Sequence, residues 1–222
     1  MFLDKIIVIN LDIANERKKR IINSFNRINL NLNDVIFLPA FDANHLNNFF
    51  ERSLHSHNMN RTFAKGELCC TLSHILAIKL SKAMGYKNVL ILEDDVEICD
   101  DFLNRLNVLE SQLPTDWNQV YIGGMTDLNN LQHYSNNMYR INKLDGTHSY
   151  ILNHNSFDTV VEQMLSFSSA TDGEYEILRM NGKINAYAFI PFFTYQTDNY
   201  SYICNEDKDM YGPSHKNFAN RL

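Results

Sequence analysis

The stretch Val89-Leu90-Ile91-Leu92-Glu93-Asp94-Asp95-Val96 decides the fold of this chain. Four consecutive apolar residues, bounded by polar ones, predict a strand buried on both faces, as in the parallel sheets of α/β proteins. Three carboxylates follow at its carboxyl end, the end where open α/β sheets bind ligands. Acids packed this closely disfavour one another's ionised form. A hard divalent cation such as Mg²⁺ or Mn²⁺, which takes oxygen ligands, removes that cost. Acid clusters at strand ends also serve as turns and helix N-caps, so the rest of the chain has to decide between the two roles.

Working outward, Lys5 to Leu11 predicts a first strand, and Asn15 to Ile28 a helix with Ile21, Ile22, Phe25 and Ile28 on one face. Val35 to Leu38 predicts a second strand, stopped by Pro39. Residues 42–63 are polar and rich in Asn and His, which predicts loop with short helical turns. Gly66 to Met84 predicts a long helix with an apolar stripe of Leu68, Leu72, Ile75, Leu76, Leu80 and Ala83, closed by Gly85 as its C-terminal cap. A helix over Asp100 to Leu113 ends at Pro114, and Gln119 to Ile122 predicts a strand leading into Gly123-Gly124. Shorter strands are expected over Tyr139–Leu144, Ser149–Leu152 and Ala186–Ile190, and helices over Ser156–Ser166 and Asp172–Met180. Strands alternating with helices predict an α/β layered fold with a mainly parallel sheet. No repeat or linker divides the chain, so 1–222 is expected to form one domain, with a loosely ordered tail after about residue 203.

The 222 residues are 45% hydrophobic, enough for the core such a fold needs. Lys and Arg number 20 against 26 Asp and Glu, a net charge of −6, which argues against nucleic acid as a partner. Nothing in the sequence has the length and apolarity of a membrane span, and no basic-then-apolar leader precedes the first strand, so a cytoplasmic location is expected. The four cysteines show neither CxxC nor Cys/His zinc spacing. Buried free thiols in a reducing compartment fit them best.

Several separate segments together resemble glycosyltransferase family 25, which includes bacterial lipooligosaccharide galactosyltransferases and collagen hydroxylysine glycosyltransferases. They are Ile9-Asn10-Leu11-Asp12 with Glu16-Arg17, Ala40-Phe41-Asp42-Ala43, and Gly66-Glu67-Leu68-Cys69-Cys70-Thr71-Leu72-Ser73-His74. The LILEDDV stretch follows, then Gly146-Thr147-His148-Ser149-Tyr150, Thr171-Asp172, and Gln196 with Ser201. The GE…LSH segment joined to LILEDDV is the specific part. Cys69 stands where the family often has Gly, and Asp42-Ala43 where Asp-Gly is more usual.

The resemblance implies a GT-A-type, Rossmann-like fold, with a mainly parallel central sheet flanked by helices. It implies a metal-dependent inverting transfer of galactose or glucose from a UDP-sugar donor to a hydroxyl of a glycan or of a collagen-like protein. The cofactor expected is Mn²⁺ or Mg²⁺. Asp95 is the first candidate metal ligand and Glu93 the second, with Asp94 either near the donor or a structural acid turned back into the fold. Asn10, Leu11 and Arg17 fall where the resemblance puts the nucleotide pocket; a surface helix face accounts for Arg17 equally well. Asp42 is a candidate uridine or ribose contact, or a turn-forming Asp. Glu67, Ser73 and His74 are candidates for donor contact or support near the metal. A first-turn carboxylate facing the helix dipole and a satisfied polar pair in the helix interior explain them as well.

An inverting transfer needs a general base beside the acceptor hydroxyl. Asp172 is the candidate, with an N-cap role as the alternative, and Asp127 is held in reserve. Gly123 is a candidate for close backbone approach to the donor sugar, and His148 and Gln196 for lining the sugar or metal site. His55 and His57 are expected to be exposed loop residues, and His215 is a distant candidate metal ligand. Two other functions compete: an inactive GT-A domain serving as a binding module, and a metal-dependent phosphatase or nucleotidyltransferase. The last lacks its signature, because Ile13-Ala14 follows Asp12 where a second acid two residues on is needed.

Overall fold

The computed structural model describes residues 2–46, 55–56, 61–197, 199–201 and 206–208. In chain order these form β1 (Lys5–Asn10), α1 (Asn15–Arg27), β2 (Val35–Pro39), β3 (His55–Ser56), β4 (Arg61–Thr62) and α2 (Lys65–Ala83). There follow β5 (Asn88–Glu93), β6 (Val96–Ile98), α3 (Phe102–Gln112), β7 (Gln119–Tyr121), β8 (Leu131–Ser135), β9 (Met138–Ile141) and β10 (Ser149–Asn153). The last are α4 (Phe157–Met164), α5 (Thr171–Met180), β11 (Ala186–Phe189), β12 (Thr194–Gln196), β13 (Asn199–Ser201) and β14 (Glu206–Lys208).

Eight strands make the central sheet, in the order β2-β1-β5-β10-β7-β11-β9-β8. β2, β1 and β5 pair in parallel, as do β7 and β11. β10 enters antiparallel between β5 and β7, so β7 and β11 run in the direction of β5. β9 and β8 close that edge as an antiparallel hairpin. The mixed α/β fold with a mainly parallel sheet is therefore as expected, with β10 the interruption in its middle.

Val89, Leu90, Ile91 and Leu92 are each completely buried. Their side chains alternate between two cores, because successive strand residues point to opposite faces. Ile7, Ile9, Val89, Ile91, Tyr121 and Tyr150 pack against α2, α4 and α5 on one face. Ile6, Val8, Leu90, Leu92, Val120 and Ile151 pack against α1 and α3 on the other. The product is a three-layer domain with β5 near its centre, so the acids after Leu92 are anchored by a strand whose four central residues are completely buried.

The expected apolar stripe of α2 is corrected by the structure. Leu76 is 38% exposed and Ala83 is exposed, whereas Thr71, Ser73, His74, Ala77 and Ser81 are buried. Small and polar side chains let this helix lie close against the sheet, and three of them find partners within the helix or on the sheet. Ser73 and Ser81 donate to the carbonyls of Cys69 and Ala77 one turn back, and His74 meets Tyr150 of β10. The predicted cap is present: Gly85 has φ of +73°, and the Tyr86 and Gly85 N–H groups return to the Ser81 and Lys82 carbonyls.

Seven strands among the described residues escaped the sequence pattern, including the two-residue pair β3 and β4, in the stretch expected to be loop with short helical turns, and the three-residue pair β13 and β14. β6 and β12 are three residues each and pair only with one another. β8 lies at the sheet edge with an exposed Gln-His-Tyr centre, so no hydrophobic alternation marks it. Among the described cysteines no disulfide forms: Cys69 is buried, and Cys70 and Cys99 are partly so. His57 and His215 lie outside the described residues, as does the tail beyond residue 208. No helix among the described residues is long and apolar enough to cross a membrane.

Candidate active site

β5 ends at Glu93, and the chain turns through Asp94 and Asp95 before β6. That turn sends the three carboxylates in three directions. Asp94 points back toward β1 and is 8% exposed. It accepts from Asn10 Nδ2 at 2.7 Å, from the Leu11 N–H at 3.2 Å and from Arg17 Nη1 at 2.7 Å. Asn10, Leu11 and Arg17 are thus gathered around one acid, across the parallel β1–β5 pair and the start of α1.

Asp95 lies beside them. Arg17 Nη1 is 3.7 Å from its Oδ2, which also accepts from Gln196 Nε2 of β12 at 3.0 Å. Its main-chain carbonyl accepts from the Thr197 N–H and hydroxyl, fixing the turn. Its other oxygen, Oδ1, is buried and has no hydrogen-bond partner. Burial, and next the charge of Glu93, push the Asp95 carboxyl up to about 7, against the pull of Arg17 and Gln196.

Glu93 is directed toward α2 and the segment before β10. Its Oε1 accepts from the Thr147 hydroxyl at 3.0 Å and lies 3.4 Å from His74 Nε2. Burial opposes its ionisation, but His74, His148 and Thr147 outweigh that and hold its carboxyl below the usual range. His74 is completely buried and oriented by a 2.8 Å hydrogen bond between Nδ1 and the Tyr150 hydroxyl. The first and third acids of the triplet therefore differ: Glu93 is biased toward the charged form, and Asp95 is poised near neutrality. One buried polar oxygen on the reluctant acid, beside a stabilised carboxylate, is a donor set that suits a hard divalent cation.

His148 is buried, and neither ring nitrogen has a partner. Burial pulls its imidazole down to about 4, so it stays neutral. Gly123 sits against it: a Cβ there would come within 2.8 Å of His148 Nε2 and 2.7 Å of the Thr194 carbonyl. The glycine is therefore required by protein packing, and its closest neighbours are His148 and Thr194.

Asp172 lies in the first turn of α5, whose N-cap is Ala170, so the N-cap role is not the one it takes. Its Oδ2 accepts from the Gly146 N–H at 3.2 Å and Oδ1 from the Gly173 N–H at 2.9 Å. Gly146, with φ of +86°, leads directly into Thr147. The segment 146–148 thus links Asp172 to Glu93.

The remaining candidates are more local. Asp42 accepts from the Asn44 N–H at 2.8 Å and caps a short turn. Ser73 receives the Phe41 N–H at 2.9 Å, tying that loop to α2. Glu67 accepts from the Ala64 N–H at 2.9 Å, a helix-start contact made one-sided because Ala64 has no side-chain acceptor. Asp127 is exposed, and its carbonyl receives the Asn130 N–H in a turn after β7. No contact among the described residues joins its carboxylate to Glu93 or Asp95. Thr147 and Tyr150, which hold Glu93 and His74, have no individual role assigned from the sequence, although both belong to the Gly146–Tyr150 segment that carries part of the family resemblance.

Acids at the carboxyl end of a central parallel strand, in a three-layer domain with an antiparallel strand beside it, give the mixed α/β architecture expected of a GT-A-type domain. The sequence profile described as "Glycosyltransferase family 25 (LPS biosynthesis protein)" matches residues 3–174, and the chain belongs to that family. A "Glycosyltransferase 25 family member" of Aedes aegypti is 30% identical over 133 residues, 55% of this chain and 21% of that protein. A Rattus norvegicus protein named "Probable inactive glycosyltransferase 25 family member 3" is 29% identical over 134 residues, 55% of this chain and 23% of its own length. The matches thus span less than a quarter of these relatives. The crystal structure of a glycosyltransferase involved in glycosylation of the major capsid of PBCV-1 superposes with a TM-score of 0.50 over 98% of this chain and all of that one, at 8% identity. At that identity the likeness speaks for the fold alone.

Proposed function

We propose that this chain is a divalent-metal-dependent inverting hexosyltransferase, moving galactose or glucose from a UDP-sugar to a hydroxyl of a glycan or a collagen-like acceptor. The observation that carries the proposal is the buried, unpartnered Oδ1 of Asp95 beside the stabilised carboxylate of Glu93. A buried polar atom without a partner is costly, and sites of function are where such cost is retained. Asp95 and Glu93 would hold Mn²⁺ or Mg²⁺, which supplies Lewis-acid stabilisation of the departing diphosphate.

The other residues take roles consistent with their placement. Asp94 orders Asn10, the Leu11 N–H and Arg17 into one face at the end of β1, suited to a nucleotide. Arg17 presents a cation to that face. Asp172 is the candidate base: its carboxylate would take the proton of the acceptor hydroxyl as that oxygen bonds to the anomeric carbon and the bond to the diphosphate breaks. Its hold on Gly146 fixes the base relative to Thr147 and hence to Glu93.

A second reading, an inactive binding module, has in its favour the names of the Rattus norvegicus and Bos taurus relatives, both called probable inactive members. One experiment separates the two. Purified protein is incubated with UDP-galactose, UDP-glucose, UDP-N-acetylhexosamines and GDP-sugars, with Mn²⁺ or with chelator, and both nucleotide release and thermal shift are recorded. Mn²⁺-dependent release from one UDP-sugar is expected. Binding without turnover, including with glycan and collagen-like acceptors, supports the inactive module. Neither binding nor turnover, in folded protein, removes the transferase proposal.

A further inference from the structure

α2 carries Cys70 and His74 one turn apart, on the same face, and that face looks at the end of β5. Residues at i and i+4 of a helix are neighbours, the spacing that lets two side chains hold one metal ion. The Cys70 Sγ, a His74 ring nitrogen and a Glu93 carboxylate oxygen all lie within 4.8 Å of one another. Tetrahedral zinc, with ligand bonds of about 2.0–2.3 Å, needs its donors roughly 3.3–3.8 Å apart. His74 Nε2 and Glu93 Oε1 already stand at 3.4 Å.

We propose that Cys70, His74 and Glu93 form a second metal site, selective for a borderline-soft cation such as Zn²⁺, with water as the fourth ligand. The nitrogen facing the cluster, His74 Nε2, is completely buried and has no hydrogen-bond partner. The opposite nitrogen is held by the Tyr150 hydroxyl at 2.8 Å. Metal-bound histidines are oriented in this way, with the second ring nitrogen engaged by a neighbouring polar group. Cys70 is in turn positioned by the Thr171 hydroxyl, 3.6 Å from its sulfur, and that hydroxyl is tied to Thr71 at 2.9 Å. Glu93 keeps 19% of its side-chain surface exposed, which leaves an entry path for the ion.

Donor chemistry separates this site from the one at Asp95. Thiolate and imidazole favour Zn²⁺ or Co²⁺, whereas a carboxylate-only set favours Mg²⁺ or Mn²⁺. The two sites share Glu93, so zinc would draw that carboxylate toward α2 and away from Asp95. Zinc would then inhibit any manganese-dependent reaction. The second site itself does not depend on the transferase reading, because its donors and its test are independent of turnover.

The test is a Co²⁺ titration of metal-free full-length protein, followed in the near-ultraviolet and visible. The expected result is a thiolate-to-cobalt charge-transfer band with the visible bands of tetrahedral cobalt, saturating at one equivalent and displaced by Zn²⁺. Cys70→Ser should abolish the charge-transfer band and weaken Zn²⁺ binding, measured against a chromophoric chelator, by at least about tenfold. Asp95→Asn should leave both intact. X-ray absorption of zinc-loaded wild-type protein provides a reading that needs no variant, with one sulfur and nitrogen or oxygen donors expected. The proposal is overturned if folded wild-type protein gives no charge-transfer band, or if the band survives Cys70→Ser. Survival would put the cobalt on another of the four cysteines. A zinc shell without sulfur overturns it equally. Failure of manganese-dependent turnover in the same preparation bears on none of these outcomes.

Discussion

At the residue scale, Asp95 and its neighbours would carry the proposed chemistry through their differences. Three consecutive acids meet three environments: Asp94 is fully engaged by Asn10, Leu11 and Arg17, Glu93 is held by Thr147 and faced by His74, and Asp95 keeps one oxygen unpartnered. A buried charge that lacks full compensation destabilises the fold that contains it. Asp95→Asn removes the charge and keeps the shape, with an amide oxygen able to face Gln196. The metal-free variant is therefore expected to melt no lower than wild type at pH 8, and by scanning fluorimetry up to a few degrees higher, about 2–4 °C per kcal/mol at this size. The stabilisation that Mn²⁺ gives wild type should disappear in the variant. An undiminished Mn²⁺ shift would remove Asp95 from the metal site.

At the element scale, β5 supplies rigidity and the short connections supply geometry. Leu90 lies in the core shared with α1 and α3, where it is completely buried. Leu90→Ala should cost about 2–5 kcal/mol by urea denaturation, through lost transfer energy plus the cavity left behind. Gly123→Ala acts at the end of β7, where the new methyl meets the Thr194 carbonyl and His148 together. Backbone cannot yield as a flexible side chain does, so a loss of about 1–3 kcal/mol is expected, with weakened donor binding because His148 is displaced. A fully stable Gly123→Ala protein would show that the start of β12 gives way freely. The same contrast explains what the sequence disclosed. β1, β5 and α1 were legible because burial on both faces, or on one stripe, imposes a hydrophobic period. The buried face of α2 was misjudged because His74, Ser73 and Thr71 sit inside on account of partners from β10, the Phe41 loop and α5, contacts that no local period encodes. β6, β8 and β12 were missed for the matching reason: short or edge strands are held by pairing, and leave no alternation to read. Of the candidate residues, Asn10, Arg17, Asp94, Asp95 and Gln196 converge on one turn, while Asp42, Glu67 and Asp127 take local turn and cap roles.

At the scale of the whole molecule, the site makes global stability depend on pH in a way that one side chain isolates. His148 is buried without partners, and its imidazole sits at about 4 in the folded chain against 6.5 when exposed. Its folded-state value is depressed, so the unfolded chain binds the extra proton between those two values. Folding is then unopposed by this group above about pH 6.5, and loses stability progressively as the pH falls toward 4, where the loss is complete. The full span corresponds to about 3 kcal/mol at most. Asp95 works in the opposite sense over part of the same range, because its raised value lets the folded chain keep a proton that the unfolded chain releases. A single wild-type curve would therefore mix two contributions that partly cancel. Comparison with His148→Asn separates them, since Asp95 is common to both proteins. Urea unfolding at intervals from pH 7.5 to 4 should show wild type losing ground to the variant as the pH falls, with the gap changing steadily between 6.5 and 4 and flat above 7. A gap independent of pH would mean that His148 is hydrated or charged in the folded protein. The buried, unpartnered imidazole beside Gly123 would then have to be reached by water.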